Sequence, residues 1–199
     1  MKKAITHLQA ADPVMRGLIE RVGPFRMTYK EPAFESLVQS IVYQQLSGKA
    51  AGTIYGRVRE ALGEVTPEGL LGRPVEELRA WGLSGQKASY VRDLAHKTQC
   101  GVVRFQDLPG MADQAVIEHL TQVKGVGVWT VQMFLMFALR RLDVLPVGDL
   151  GIRQGMKQAY RMRELPQPER MEKVARPWRP YASVASWYLW RSLDGDGAM

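Results

Sequence analysis

The chain has 199 residues, with 27 Lys and Arg against 20 Asp and Glu, for a formal charge of +7. Its 46% hydrophobic content supports a packed core and excludes a disordered polyelectrolyte, while the positive balance favours an acidic partner, nucleic acid first. One cysteine (Cys100) and three scattered histidines (His7, His96, His119) argue against a disulfide framework, a zinc site and an iron–sulfur cluster.

In chain order, the N-terminal MKKAITHLQAADP is basic but carries no apolar signal-like run, and no apolar stretch is long enough for a bilayer, so a cytoplasmic protein with no membrane partner is expected. Asp12-Pro13 has the form of an N-cap with proline at the first helical position and predicts a helix to about Val22, stopped by Gly23-Pro24. Pro32 opens a second helix with Phe34, Leu37, Val38, Ile41 and Val42 on one face. Gly48 interrupts it, and a third helix runs to about Leu62. Pro67 and Pro74 mark two short helices, and Ser84 caps a longer one carrying Val91, Leu94 and Ala95. A short helical stretch covers Asp107 to Leu120.

Gly127 to Arg140 is an apolar helix on nearly every face, which predicts that other helices surround it. Further helices are expected over Asp149 to Arg161, Pro168 to Arg176 and Pro180 to Arg191, with a frayed tail LDGDGAM. Strand signals are nearly absent. The fold class is all-α, with about ten helices.

The segment Leu120-Thr-Gln-Val-Lys-Gly-Val-Gly-Val-Trp-Thr130 reads as helix, tight turn, helix. Glycines at 125 and 127 permit positive φ and close backbone approach, and the N–H groups that open the next helix form an anion site suited to a phosphate. Lys124, Gly125, Val126, Gly127 and Thr130 are the candidate backbone-gripping positions. An ordinary helix–helix turn shows the same glycine spacing.

The wider run from Val123 to Arg153, VKGVGVWTVQMFLMFALRRLDVLPVGDLGIR, resembles the helix-hairpin-helix and Gly/Pro…Asp signature of the base-excision DNA glycosylase superfamily (HhH-GPD). It is most similar to the alkylpurine branch, the 3-methyladenine DNA glycosylase II-like enzymes. Phe34 to Ser47, followed by Ala50-Ala51, resembles that branch's interrogating helix and loop, and Trp81 to Ala88 resembles its Gly-Leu-Ser-x-x-Lys segment. The resemblance runs from about residue 30 to Leu193. Larger members carry an extra N-terminal β-rich domain, which is not expected in this chain.

The resemblance implies a two-lobed helical unit over 1–199, with a central lobe of about 30–140 that ends in the hairpin (about 112–140). A second lobe of 1–29 plus 141–199 carries the catalytic acid. It implies that Asp149 stabilises an oxocarbenium-like sugar and directs water, as carboxylates do in glycoside hydrolysis. Asp149 also suits an N-cap, and Asp143 is the competing carboxylate. No second general acid stands out, which fits a base that is already cationic. Trp129, Trp187, Met133, Leu150 and Tyr43 are the implied base-pocket residues, Met133 and Leu150 standing where a relative has tyrosines. Trp190 is a lesser stacking candidate, and core packing is the competing reading for each aromatic.

Bifunctional members carry a lysine where this chain has Trp129, so base removal without strand cleavage is expected. Gln45, with Leu46 as neighbour, falls at the intercalating wedge that base flipping requires, although a polar helix end would have the same composition. Lys49, Lys87, Arg153 and Lys157 are candidate phosphate contacts, competing with a role as solvated surface charge. The implied partner is double-stranded DNA with alkylated bases, acted on by a monomer. No cofactor is required, but the resemblance implies Na⁺ or K⁺ on the main-chain carbonyls of Thr121, Val123 and Val126 when DNA is bound. The rival function is a non-catalytic hairpin module for DNA binding or damage recognition.

Overall fold

Asp12 ends one helix and begins the next in the computed structural model, in which residues 1–194 are described. The helices are α1 (Lys2–Ala11), α2 (Pro13–Val22), α3 (Phe34–Tyr43), α4 (Gly48–Leu62), α5 (Pro67–Leu71), α6 (Val75–Ala80), α7 (Gly85–Gln99), α8 (Asp113–Leu120), α9 (Val128–Phe137), α10 (Leu150–Ala159), α11 (Pro168–Ala175) and α12 (Ala182–Arg191). Two 3-10 segments, Phe105–Gly110 and Arg176–Trp178, join them, and no strand occurs among the described residues. The protein is all-α, as its periodicity predicts. The chain divides into two compact units, residues 1–29 with 140–199, and residues 30–139.

In the first unit, the Asp12 side chain accepts from the N–H groups of Val14 and Met15 and starts α2 beside Pro13. The same carboxylate takes the Trp178 indole N–H at 3.0 Å and the Tyr160 hydroxyl, so one buried charge fastens α2 to distant elements. The core is Leu8, Met15, Leu18, Met156, Met171, Trp178, Tyr188 and Leu189. α10 crosses α12 closely because Gly155 faces it: a Cβ there would lie 2.6 Å from the Leu189 carbonyl oxygen.

In the second unit, α3 buries Phe34, Leu37, Val38, Ile41 and Val42, the same stripe read from sequence. Ser47, Thr66 and Ser84 cap α4, α5 and α7 through their hydroxyls. The core adds Val58, Leu70, Leu78, Val91, Leu94, Leu108, Leu120 and Leu135.

Three expectations need correction. α1 was not foreseen: it has no side-chain cap and buries only Ala4 and Leu8, which is a weak signal. The stretch from Asp107 to Leu120 is broken: a 3-10 segment with Pro109 inside it ends at Gly110, and α8 begins at Asp113. The apolar helix is α9 alone, ending at Phe137, and its first turn is open, with Val128 and Trp129 51% and 44% exposed. The enclosed part starts at Thr130. The frayed-tail expectation covers Leu193 and Asp194, whose N–H groups donate to Trp190 and Arg191, and residues 195–199, which lie outside the described residues.

Candidate active site and nucleic-acid interface

Asp149 is the N-cap of α10. The turn before it closes with the Asp149 N–H donating to the Pro146 carbonyl at 3.0 Å. Its Oδ1 accepts the Ile152 N–H at 2.8 Å and, from α12, the Trp190 indole N–H, also at 2.8 Å. Two donors from different elements on one oxygen fix the plane of the carboxylate, which is 9% exposed. Gly151 makes room for this: a Cβ there would sit 2.9 Å from Trp190 Cδ1 and 3.2 Å from Asp149 Oδ1.

The competing carboxylate, Asp143, is engaged structurally. Its Oδ1 accepts the Ala182 N–H at 3.2 Å at the head of α12 and pairs with Arg179 at 3.2 Å. Arg179 also donates to the Asp143 carbonyl at 2.8 Å.

The hairpin joins α8 to α9. Gly125 has φ +78°, and a Cβ would meet the Tyr90 ring at 2.1 Å, so only glycine fits on both counts. The first bond of the α9 ladder runs from the Val131 N–H to the Gly127 carbonyl, which leaves the amides of the opening turn ahead of it. Asp93, on α7, braces the turn by accepting the Lys124 N–H at 2.7 Å while pairing with Lys97 at 2.7 Å. Burial raises the Asp93 pKa, but the lysine pair and the backbone donor outweigh it and hold the carboxyl below its ordinary value.

Two hairpin positions differ from expectation. Thr130 is buried and its hydroxyl oxygen accepts from Gln44 Nε2 at 3.3 Å, so it braces the turn from within. The Val126 N–H is already donated to the Val123 carbonyl at 3.0 Å, so the amides suited to an anion are those flanking it. That bond occupies one lone pair of the Val123 oxygen. Among the described residues no cluster of His, Cys, Asp and Glu could hold a metal ion, and no helix is long and apolar enough to cross a membrane.

The turn after α3 exposes Tyr43, Gln45 and Leu46, and Gln45 adopts φ 57°, a left-handed conformation rare for a side chain of this kind. Lys87, expected at a phosphate, points inward instead. Its ammonium donates to the carbonyls of Val42 and Gln44, both at 2.6 Å, and burial lowers its pKa. Gln44 reaches the Gly125 carbonyl at 3.0 Å. A cavity of about 380 Å³ beside this turn is lined by Gln44, Gln45, Gln86, Lys87, Tyr90 and Trp129. Lys49 is exposed on the first turn of α4, and Arg153 Nε donates to the Pro166 carbonyl at 3.0 Å.

Of the implied base-pocket residues, Tyr43, Trp129 and Leu150 are each large apolar side chains left in solvent, Leu150 at 55%. Met133 is half-buried. Trp187 is only 8% exposed and packs on Phe25, with ring centroids 4.7 Å apart, so most of its indole is core. Trp190, Gly151, Asp93, Tyr90 and Gln44 carry roles that the sequence reading missed. Gly151 and Gly155, four apart in one helix, were the available sign of a close helix approach.

The family model of the HhH-GPD superfamily base excision DNA repair protein matches residues 38–180. DNA-3-methyladenine glycosylase 1 of Schizosaccharomyces pombe is 34% identical, over 96% of this chain and 87% of its own length. The solved structure of the Schizosaccharomyces pombe 3-methyladenine DNA glycosylase Mag1 in complex with abasic DNA superposes with a TM-score of 0.88, covering 99% of each chain at 34% identity. A DNA-3-methyladenine glycosidase structure from Bacillus halodurans gives 0.84 at 40% identity, covering 95% of this chain and 88% of that one. The chain belongs to the HhH-GPD superfamily of base excision DNA repair proteins.

Proposed function

We propose that the chain is a monofunctional DNA glycosylase that binds double-stranded DNA, flips out an alkylated purine and hydrolyses its N-glycosidic bond. The observation that carries this reading is Asp149, a buried carboxylate fixed by two donors on one oxygen, in a chain that also presents a backbone anion turn. Relatives named for 3-methyladenine support the substrate class. A module that only bound DNA would gain nothing from a carboxylate held in this way, and near phosphates it would repel them.

The proposed chemistry needs one carboxylate. As the bond from C1′ to the base nitrogen breaks, its electron pair leaves with the base, and positive charge builds on the sugar. Asp149 stabilises that charge, orients the attacking water and accepts its proton. A base methylated at N3 or N7 already carries the positive charge, so the electron pair neutralises it and no general acid is required. Trp129 offers an exposed aromatic face for such an electron-poor ring. It also takes the position where a lysine would form a Schiff base, so the product is an intact strand with an abasic site.

The grip is assigned to Lys124 and the amides around Gly125 and Gly127, the gap-filling to Gln45 and Leu46, and further phosphate contacts to Lys49 and Arg153. Na⁺ or K⁺ on the carbonyls of Thr121, Val123 and Val126 is proposed for the DNA-bound state, where it would add positive charge beside the phosphate; no catalytic step depends on it. The protein acts as a monomer in this reading.

The test uses end-labelled duplexes carrying 3-methyladenine, 7-methylguanine, 1,N6-ethenoadenine or hypoxanthine, followed by alkali. Alkali-dependent cleavage of at least one methylpurine duplex is expected. No cleavage on any of them defeats the enzyme reading, and cleavage without alkali, with borohydride trapping, defeats the monofunctional one.

A further inference from the structure

Lys87 and Gln44 lie outside the proposed chemistry, yet they tie the Gln45–Leu46 turn to the hairpin. Lys87, on α7, places its ammonium at the C-terminal end of α3 and donates to the carbonyls of Val42 and Gln44 at 2.6 Å each. Those carbonyls belong to the negative end of a helix, where a cation is favoured. Gln44 continues the chain of bonds, donating from Nε2 to the Gly125 carbonyl at 3.0 Å, with Thr130 Oγ1 at 3.3 Å. The turn thus held contains Gln45 at φ 57°, a conformation that relaxes unless its surroundings enforce it. Inserting a side chain into a duplex works against base stacking, and a turn free to recoil would yield before the stack did.

We propose that Lys87 and Gln44 are positioning residues that lock the Gln45–Leu46 turn to the hairpin, so that gripping a phosphate and prising a base from the stack occur in one rigid frame. This rests on the glycosylase reading above, with Gln45 and Leu46 as the gap-filling residues. It makes the lysine part of the flipping device and gives it no phosphate of its own.

The experiment compares two substrates. Single-turnover release is measured for the lesion that the wild-type protein removes fastest, once with its normal partner base and once opposite an abasic site, where less pairing must be broken. Lys87→Met keeps the aliphatic stem and removes the ammonium; Gln44→Met keeps the length and removes the amide. Each variant is expected to be slower by about tenfold or more on the paired lesion and by less than about threefold on the unpaired one, with Lys87→Arg restoring most of the paired rate.

Equal losses on both substrates, or no loss on the paired one, overturn the inference. So does a loss of undamaged-duplex affinity in Lys87→Met that Gln44→Met does not share, since that would make Lys87 a phosphate contact. Should Lys87→Met fail to fold, Gln44→Met leaves the lysine's bonds to α3 in place and carries the same comparison. A wild-type protein that released no base from either duplex would overturn the glycosylase reading itself, and that control separates the two failures.

Discussion

Trp190 donates its indole N–H to Asp149 Oδ1 at 2.8 Å, and the two residues can meet because Gly151, between them, has no side chain. The proposed catalytic carboxylate is therefore held from two sides, by the opening turn of its own helix and by a ring on α12. Electrostatic stabilisation of a developing cation depends on such fixed geometry, since a carboxylate free to rotate must reorganise in each turnover. Trp190→Phe keeps the ring and removes the donor. Base release in single turnover should fall by about 10- to 100-fold, while affinity for abasic-site DNA changes by less than about threefold. Gly151→Ala should give the same pattern, because its methyl group displaces the indole from the carboxylate. An unchanged rate in both variants would show that the cap alone orients Asp149.

Asp149→Asn separates capping from catalysis. Asparagine is as good an N-cap as aspartate and can still accept the N–H groups of Ile152 and Trp190, so thermal stability should stay within about 0.5 kcal/mol of wild type. The amide can neither accept a proton from water nor oppose positive charge on the sugar. Base release should fall by about 1,000-fold or more, with duplex binding largely kept. Measured by gel shift and alkali cleavage on the same preparation, a variant that still released base at wild-type rate would move the catalytic role elsewhere.

Capping and punctuation made much of this fold readable in the sequence. Asp12, Ser84 and Asp149 each begin a helix through a bond to a nearby amide, so a local pattern carries the information. The Gly125 turn was readable for the same reason. What escaped were bonds between residues far apart in the chain. Lys87 reads as a surface charge until the carbonyls at the end of α3, more than forty positions away, come beneath it. Trp190 reads as a lesser stacking candidate or a core aromatic, and its bond to Asp149 exists only because α10 and α12 approach through Gly151 and Gly155. The open first turn of α9 escaped because composition cannot distinguish an apolar residue in the core from one reserved for a ligand.

The brace beneath the hairpin predicts a pH dependence. The Asp93 pKa is lowered in the folded protein, so its stabilising contribution is present above the unfolded value of about 4 and disappears as pH falls below it. Asp93→Ala should cost about 1 kcal/mol at pH 7, discounted for the partial exposure of the pair with Lys97, or about 2–4 °C in Tm. Near pH 3 the two melting curves should approach each other. A gap that stays constant from pH 7 to pH 3 would assign the loss to packing and not to the charge.

Asp12 is where the first unit is most vulnerable. The carboxylate is 6% exposed and accepts from two backbone amides of α2, from the Trp178 indole and from the Tyr160 hydroxyl, whose pKa is raised by burial and by this bond. Asp12→Ala removes a cap, at about 1 kcal/mol, strands the buried Trp178 indole N–H, at about 1–3 kcal/mol, and loses the bond to the part-buried Tyr160 hydroxyl, at about 1 kcal/mol. The expected total is about 3–5 kcal/mol, or roughly 10 °C or more in Tm for a chain of this size. Asp12→Asn keeps an acceptor for the cap but has only one oxygen to offer. It should recover about the cap's share and leave the indole and hydroxyl competing for what remains. Calorimetry of both variants distinguishes these contributions: equal melting temperatures would mean that the cap contributes nothing and the buried acceptor everything.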